Sequence, residues 1–161
     1  MPTPMPTPMP MPMPMPVPVP VPVPVPMQVP VPVALSGIAL APLSTPAGDI
    51  NVAAYVQRFT TMLHTEATKH GTLHPITDPT DRCADTDFAC IANVGRRAGA
   101  ALVIYGTLIH SSEGDRTDIH LDAVDVASLA HRSWDDAPLD SDAFFASAAA
   151  AAIATLTSSP P

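Results

Sequence analysis

Four residues in the middle of the chain have the types and rough spacing of a metal site: His70 and His74, then Cys83 and Cys90. Imidazole and thiolate are ligands that zinc favours, and the histidine interval suits it. The Cys-x6-Cys spacing is wider than the usual gap of about two to four residues. The expected use of the two cysteines is instead a disulfide, closing a loop of about eight residues worth roughly 2–3 kcal/mol. Two unconnected thiols are the third reading. Zinc and a disulfide are mutually exclusive uses of the sulfurs, and a bridge points to an oxidising compartment.

The remaining constellations carry less. His110 and His120, with Asp118 and Asp122, suggest a facial site on a hairpin, but the expected register sends the two histidines to opposite faces. This run reads as a solvated edge. Asp78, Asp81, Asp85 and Asp87 offer calcium its oxygen ligands without the spacing of an EF-hand, so they read as an acidic loop. Gly95-x3-Gly99 lacks the Lys-Ser/Thr of a P-loop and the third glycine of a dinucleotide fingerprint; close helix packing and a C-cap explain it. No Gly-x-Ser-x-Gly occurs, and no Cys–His pair has nucleophile context. No catalytic residue and no cofactor are expected.

Charge narrows the partners. The chain of 161 residues holds seven Lys and Arg against fifteen Asp and Glu, a formal net charge of −8. Releasing counterions from phosphates needs clustered cations, and the one adjacent pair, Arg96-Arg97, is outnumbered by nearby acids. Nucleic acid and anionic membrane surfaces are therefore not expected as partners.

Proline divides the chain before any element is assigned. Of 22 prolines, fifteen fall between Pro2 and Pro32, alternating with Met, Thr and Val. Each proline fixes its own φ and pushes its predecessor out of the helical region. A central strand would lose half its ladder donors. Residues 1–35 are therefore expected as a disordered, polyproline II-like arm, reaching on the order of 100 Å when extended. A transmembrane helix is rejected, because so many missing amides would leave carbonyls unpaired in hydrocarbon. No Lys or Arg precedes Arg58 and no Cys precedes Cys83. A secretory signal is thus expected upstream of residue 1, if one exists, and no lipidation site is visible.

From Ser36 the pattern becomes globular. Ile38 to Leu43 reads as a first strand. Asp49 is placed to cap a helix running to about Ala67, with Val52, Tyr55, Val56, Phe59, Met62 and Leu63 as its core stripe. A short strand is expected around Leu73 to Ile76. Asp87 caps a helix from Phe88 to about Ala98, with Arg96 and Arg97 in its last turn and Gly99 at C′. Ala101 to His110 and Thr117 to Val126 pair as a hairpin around Gly114-Asp115, setting Leu108 opposite Leu121 and His110 opposite Ile119. Leu102, Ile104 and Leu108 then share a face with Ile119, Leu121 and Ala123. Ala130 to Trp134 adds a further strand, and Phe144 to about Leu156 a closing helix with Asp140 and Asp142 at its amino end.

The order β-α-β-α-β-β-β-α defines an α/β domain, a small mixed sheet with packed helices over residues 36–157, followed by a tail at 158–161. The segment from Cys90 to Leu108, Cys-Ile-Ala-Asn-Val-Gly-Arg-Arg-Ala-Gly-Ala-Ala-Leu-Val-Ile-Tyr-Gly-Thr-Leu, resembles the helix-to-strand signature of the TolB amino-terminal and CsgG/LpoB-like envelope domains. There a helix ends in a Gly-Arg-x-x-Gly-Ala type turn and leads to a strand, a hairpin, and a strand closing on Val-Asp-Val, here Val124-Asp125-Val126. Ile38 to Leu43 resembles that family's first strand. The resemblance covers about residues 36 to 157. It implies a periplasmic or outer-membrane-associated accessory that binds other envelope proteins, and it contributes no catalytic residues. The leading expectation is a non-catalytic envelope scaffold module. The alternatives are a small metal-binding protein using His70, His74, Cys83 and Cys90, and a hydrolase with an unrecognised site.

Overall fold

The β-branched and Ala-rich runs beyond residue 36 do form alternating strands and helices in the computed structural model, which describes residues 1–23, 34–46, 52–76, 83–111 and 115–158. The chain divides into two units, Met1–Val31 and Pro32–Pro161. In the first, residues 1–23 form neither helix nor strand and are exposed throughout. The alternating prolines account for this by deleting every second amide donor.

In the second unit the described elements are β1 (Ile38–Leu40), α1 (Val52–His70), β2 (Leu73–His74), α2 (Phe88–Ala98), β3 (Leu102–Ser111), β4 (Arg116–Asp125), β5 (His131–Asp136) and α3 (Asp142–Thr157). Their order is the expected one. The sheet runs β2-β1-β3-β4-β5. β1 is parallel to both neighbours, and β3, β4 and β5 form an antiparallel meander. A mixed sheet with helices packed on it is therefore the architecture.

Strand alternation sorts side chains into two cores, because successive residues point to opposite faces. On one face Ile38, Ile104, Leu108, Ile119, Leu121 and Ala123 meet Phe59 and Leu63 of α1 and Phe145, Ile153 and Leu156 of α3. Phe145 lies edge-on to Phe59, with ring centroids 5.9 Å apart. On the other face Ala39, Val103, Tyr105, Val124 and Val126 meet Ile91, Ala92 and Val94 of α2.

The caps follow local chemistry. The Asp87 carboxylate accepts from the Cys90 amide at 3.0 Å, and Gly99 ends α2 at φ 81. α3 starts two residues earlier than its apolar pattern suggests, because Ser141 serves as N-cap. Asp49, the expected cap of α1, lies outside the described residues.

One expectation is corrected. Leu108 pairs with Ile119, not Leu121, and His110 with Thr117, not Ile119. The last pair is Ser111–Arg116, so the connection is four residues long, with Gly114 outside the described residues and Asp115 at φ 48. A two-residue shift keeps every side chain on its face, so apolar matching alone is blind to it. The true register sets Gly106 opposite Leu121, where a Cβ would lie 2.1 Å from the His120 carbonyl oxygen. Only glycine fits there.

Candidate functional site

Cys83 and Cys90 are joined in a disulfide, with Cα atoms 5.7 Å apart. Cys83 is buried against the α2 core, so the bridge ties the segment before α2 to that helix. The adjoining Asp85 carbonyl accepts from the Tyr105 hydroxyl at 2.9 Å. His70 stands at the end of α1, its Nδ1 3.5 Å from Thr157 Oγ1 on α3. His74 lies in β2 beside Gly37, where a Cβ would come within 3.1 Å of its ring. The four residues of the zinc reading are not brought together: their sulfurs bond each other, and no metal-binding cluster occurs among the described residues. Asp78 and Asp81 lie outside the described residues.

The structure assembles polar residues elsewhere. α2 is eleven residues long and covers only part of its sheet face. Beyond it, Thr107, Ile109, Asp118, His120 and Asp135 line an open cavity of about 420 Å³. Ile109 is 46% exposed there. Between this cavity and α2, β4 and β5 build a network around Asp122, which is 7% exposed. Asp122 accepts from the Ser133 hydroxyl at 2.7 Å, and His131 Nε2 lies 2.7 Å from the same oxygen. His120 bridges two carboxylates, its Nε2 3.0 Å from Asp122 Oδ2 and its Nδ1 2.5 Å from Asp135 Oδ1. The His131 ring stacks on Phe88 of α2 at 4.4 Å, which anchors the network to the helix.

Electrostatics follow from this arrangement. The hydrogen bond to Asp135 holds the His120 imidazole above its ordinary value; Asp122 adds to this and partial burial opposes it. Burial, with Asp122 and Asp85 nearby, keeps the Tyr105 phenol far above its ordinary value, so it stays a neutral donor.

Ser133, His131 and Asp122 have the residue types of a hydrolytic triad but not its geometry. A relay needs the hydroxyl on one ring nitrogen and the carboxylate on the other. Here Ser133 Oγ (3.3 Å) and Asp122 Oδ1 (2.7 Å) share His131 Nε2, and the hydroxyl also donates to the carboxylate. The Ser–His–Asp relay of a triad is therefore not formed in this pose.

His110 faces the other way, as expected. It stacks on Tyr55 of α1 at 4.5 Å and lies 3.2 Å from Asp140 Oδ2, while the Thr117 hydroxyl donates to Asp140 Oδ1 at 2.5 Å. This group fastens the β5–α3 connection to the hairpin. His131, Ser133 and Asp135 were not singled out from sequence. Their signal is the polar residue at every second position of β5, legible only once β5 is known to pair with β4.

No protein-family model matches this chain, and no curated protein matches it. Several solved structures are similar. TolB from Acinetobacter baumannii superposes with a TM-score of 0.45 at 17% identity over 76% of this chain. The chain spans 28% of that TolB chain. The PelC dodecamer from Paraburkholderia phytofirmans has a TM-score of 0.45 at 12% identity, covering 79% of this chain and 93% of that one. The LpoB C-terminal domain from Escherichia coli has 0.44 at 14% identity, covering 65% and 83%. TolB and LpoB are the names to which the helix-to-strand motif pointed. At these scores the likeness carries no functional argument, and the reading below stands on the chain's own residues.

Proposed function

We propose that residues 36–157 form a non-catalytic accessory module of the cell envelope. In this reading it binds another envelope protein through the sheet face that α2 leaves open, while residues 1–35 supply reach. The observation that carries the proposal is the Asp122 network beside the 420 Å³ cavity: polar, held in place by both strands, and without a nucleophilic relay. Sites that bind without reacting need such fixed donors and acceptors near exposed apolar surface, here Ile109. The Cys83–Cys90 disulfide supports an oxidising compartment, since reduced pools keep cytosolic thiols free.

The test is site-specific photo-crosslinking in the native host, with the probe at Ile109 or Asp118, and at Thr65 on the exposed side of α1 as control. Thiol alkylation without reductant is run on the same cells. The expected outcome is one envelope protein captured from the sheet positions only, with both cysteines protected from alkylation. Equal capture from all three positions, or two alkylated cysteines, overturns the reading.

A further inference from the structure

The arm poses a separate question. Among residues 1–23 the side chains are Met, Thr, Val and Pro alone. Within this stretch Met9, Met11, Met13 and Met15 recur at every second position, with Met5 shortly before. All five are fully open to solvent, 88–94% exposed. Five further dipeptides without sulfur (Thr-Pro twice, Val-Pro three times) complete most of this stretch and add only two hydroxyls.

Two ordinary uses of a proline-rich arm do not fit. Grooves of the SH3 type read prolines three apart. Every proline from Pro2 to Pro32 occupies an even position, so no two are three apart. Electrostatic attachment to a lipid surface needs a basic cluster, and no charged side chain precedes Asp49. The distinctive chemistry left is thioether sulfur, repeated at short intervals and unshielded by a fold.

Thioethers are soft, neutral donors, and among biological cations they select copper(I) over zinc, magnesium or calcium. Successive methionines two residues apart keep their flexible side chains within reach of a shared ion. We propose that Met5, Met9, Met11, Met13 and Met15 form a binding segment for a soft monovalent cation of the copper(I) type. Binding replaces other ligands of Cu⁺ by neutral sulfur, with no change of oxidation state and no proton released. It therefore persists at about pH 4.5, where free imidazoles are protonated and lose metal ions.

The test uses the full chain with its disulfide intact and no thiol reductant, because freed Cys83 and Cys90 would compete for the ion. Silver(I) serves as a redox-inert probe in chloride-free buffer, read through methionine methyl NMR signals at about pH 4.5. Copper(I) is then titrated against a chromophoric chelator. The expected result is that the arm methyl signals move while that of Met62, in α1, stays, and that the chain withdraws copper(I) from the chelator. The variant with all five residues changed Met→Leu does neither, and its unfolding curve is unchanged. Zinc(II) moves no arm signal. Stationary arm methyls, or equal withdrawal by the five-leucine variant, overturn the proposal.

Discussion

The two faces of the sheet are built from the same strands yet end differently. Under α1 and α3, β4 contributes Ile119, Leu121 and Ala123, all almost fully buried. On the opposite face the same strand contributes Asp118, His120 and Asp122, and only Val124 meets the α2 core. One face is closed by two helices of 19 and 16 residues, the other partly by one of eleven. Apolar alternation thus specifies the closed face, and polar alternation keeps half of the other one open. Antiparallel sheets commonly pack one face on a core and leave the other to solvent, and β4 carries that alternation.

This contrast can be broken in order of expected effect. Phe145→Ala, on the closed face, should cost about 3–5 kcal/mol in chemical denaturation, the usual range for losing a buried aromatic ring. Replacing both Cys83 and Cys90 by Ala should cost roughly 2–3 kcal/mol, seen as a lower denaturation midpoint. Asp122→Ala should cost about 1–3 kcal/mol by stranding the groups that point at it. If it cost as much as Phe145→Ala, the open half would be core in polar form and the contrast would fail.

The smallest effect sharpens the contrast by its pH dependence. His120 is bound more tightly as the cation, so its folded-state value is raised above the unfolded one. Its contribution is complete below the ordinary imidazole value of about 6.5 and is lost as pH rises through the higher folded value. An NMR titration should find His120 with a raised midpoint, and Asp135→Asn should bring that midpoint down. A midpoint that ignores Asp135→Asn would transfer the role to Asp122.

Much of this fold was readable in advance because its signals are local. Element order follows from periodicity, and Asp87 and Gly99 announce the ends of α2 by cap chemistry alone. The hairpin register was not readable, since pairing Leu108 with Leu121 or with Ile119 buries the same side chains. The disulfide was the expected use of Cys83 and Cys90, and the bridge is present; their spacing alone left free thiols and a zinc site as alternatives. The open-face network was missed for a similar reason. His120 and Asp122 stood out, but His131, Ser133 and Asp135 acquire meaning only by lying opposite them across the β4–β5 ladder.

The position of β1 bears on how the molecule is made. Its three residues sit inside the sheet, yet their longest pairing is with Leu102–Ile104, about sixty residues later in the chain. At roughly 5–20 residues per second, a nascent chain waits about 3–12 s between emitting β1 and emitting that partner. The β3-β4-β5 meander, by contrast, joins neighbours as soon as they appear, and local pairings of this kind form early. Synthesis therefore offers β1 its two-residue partner β2 well before its three-residue partner β3, whereas each strand of the meander meets its neighbour in turn.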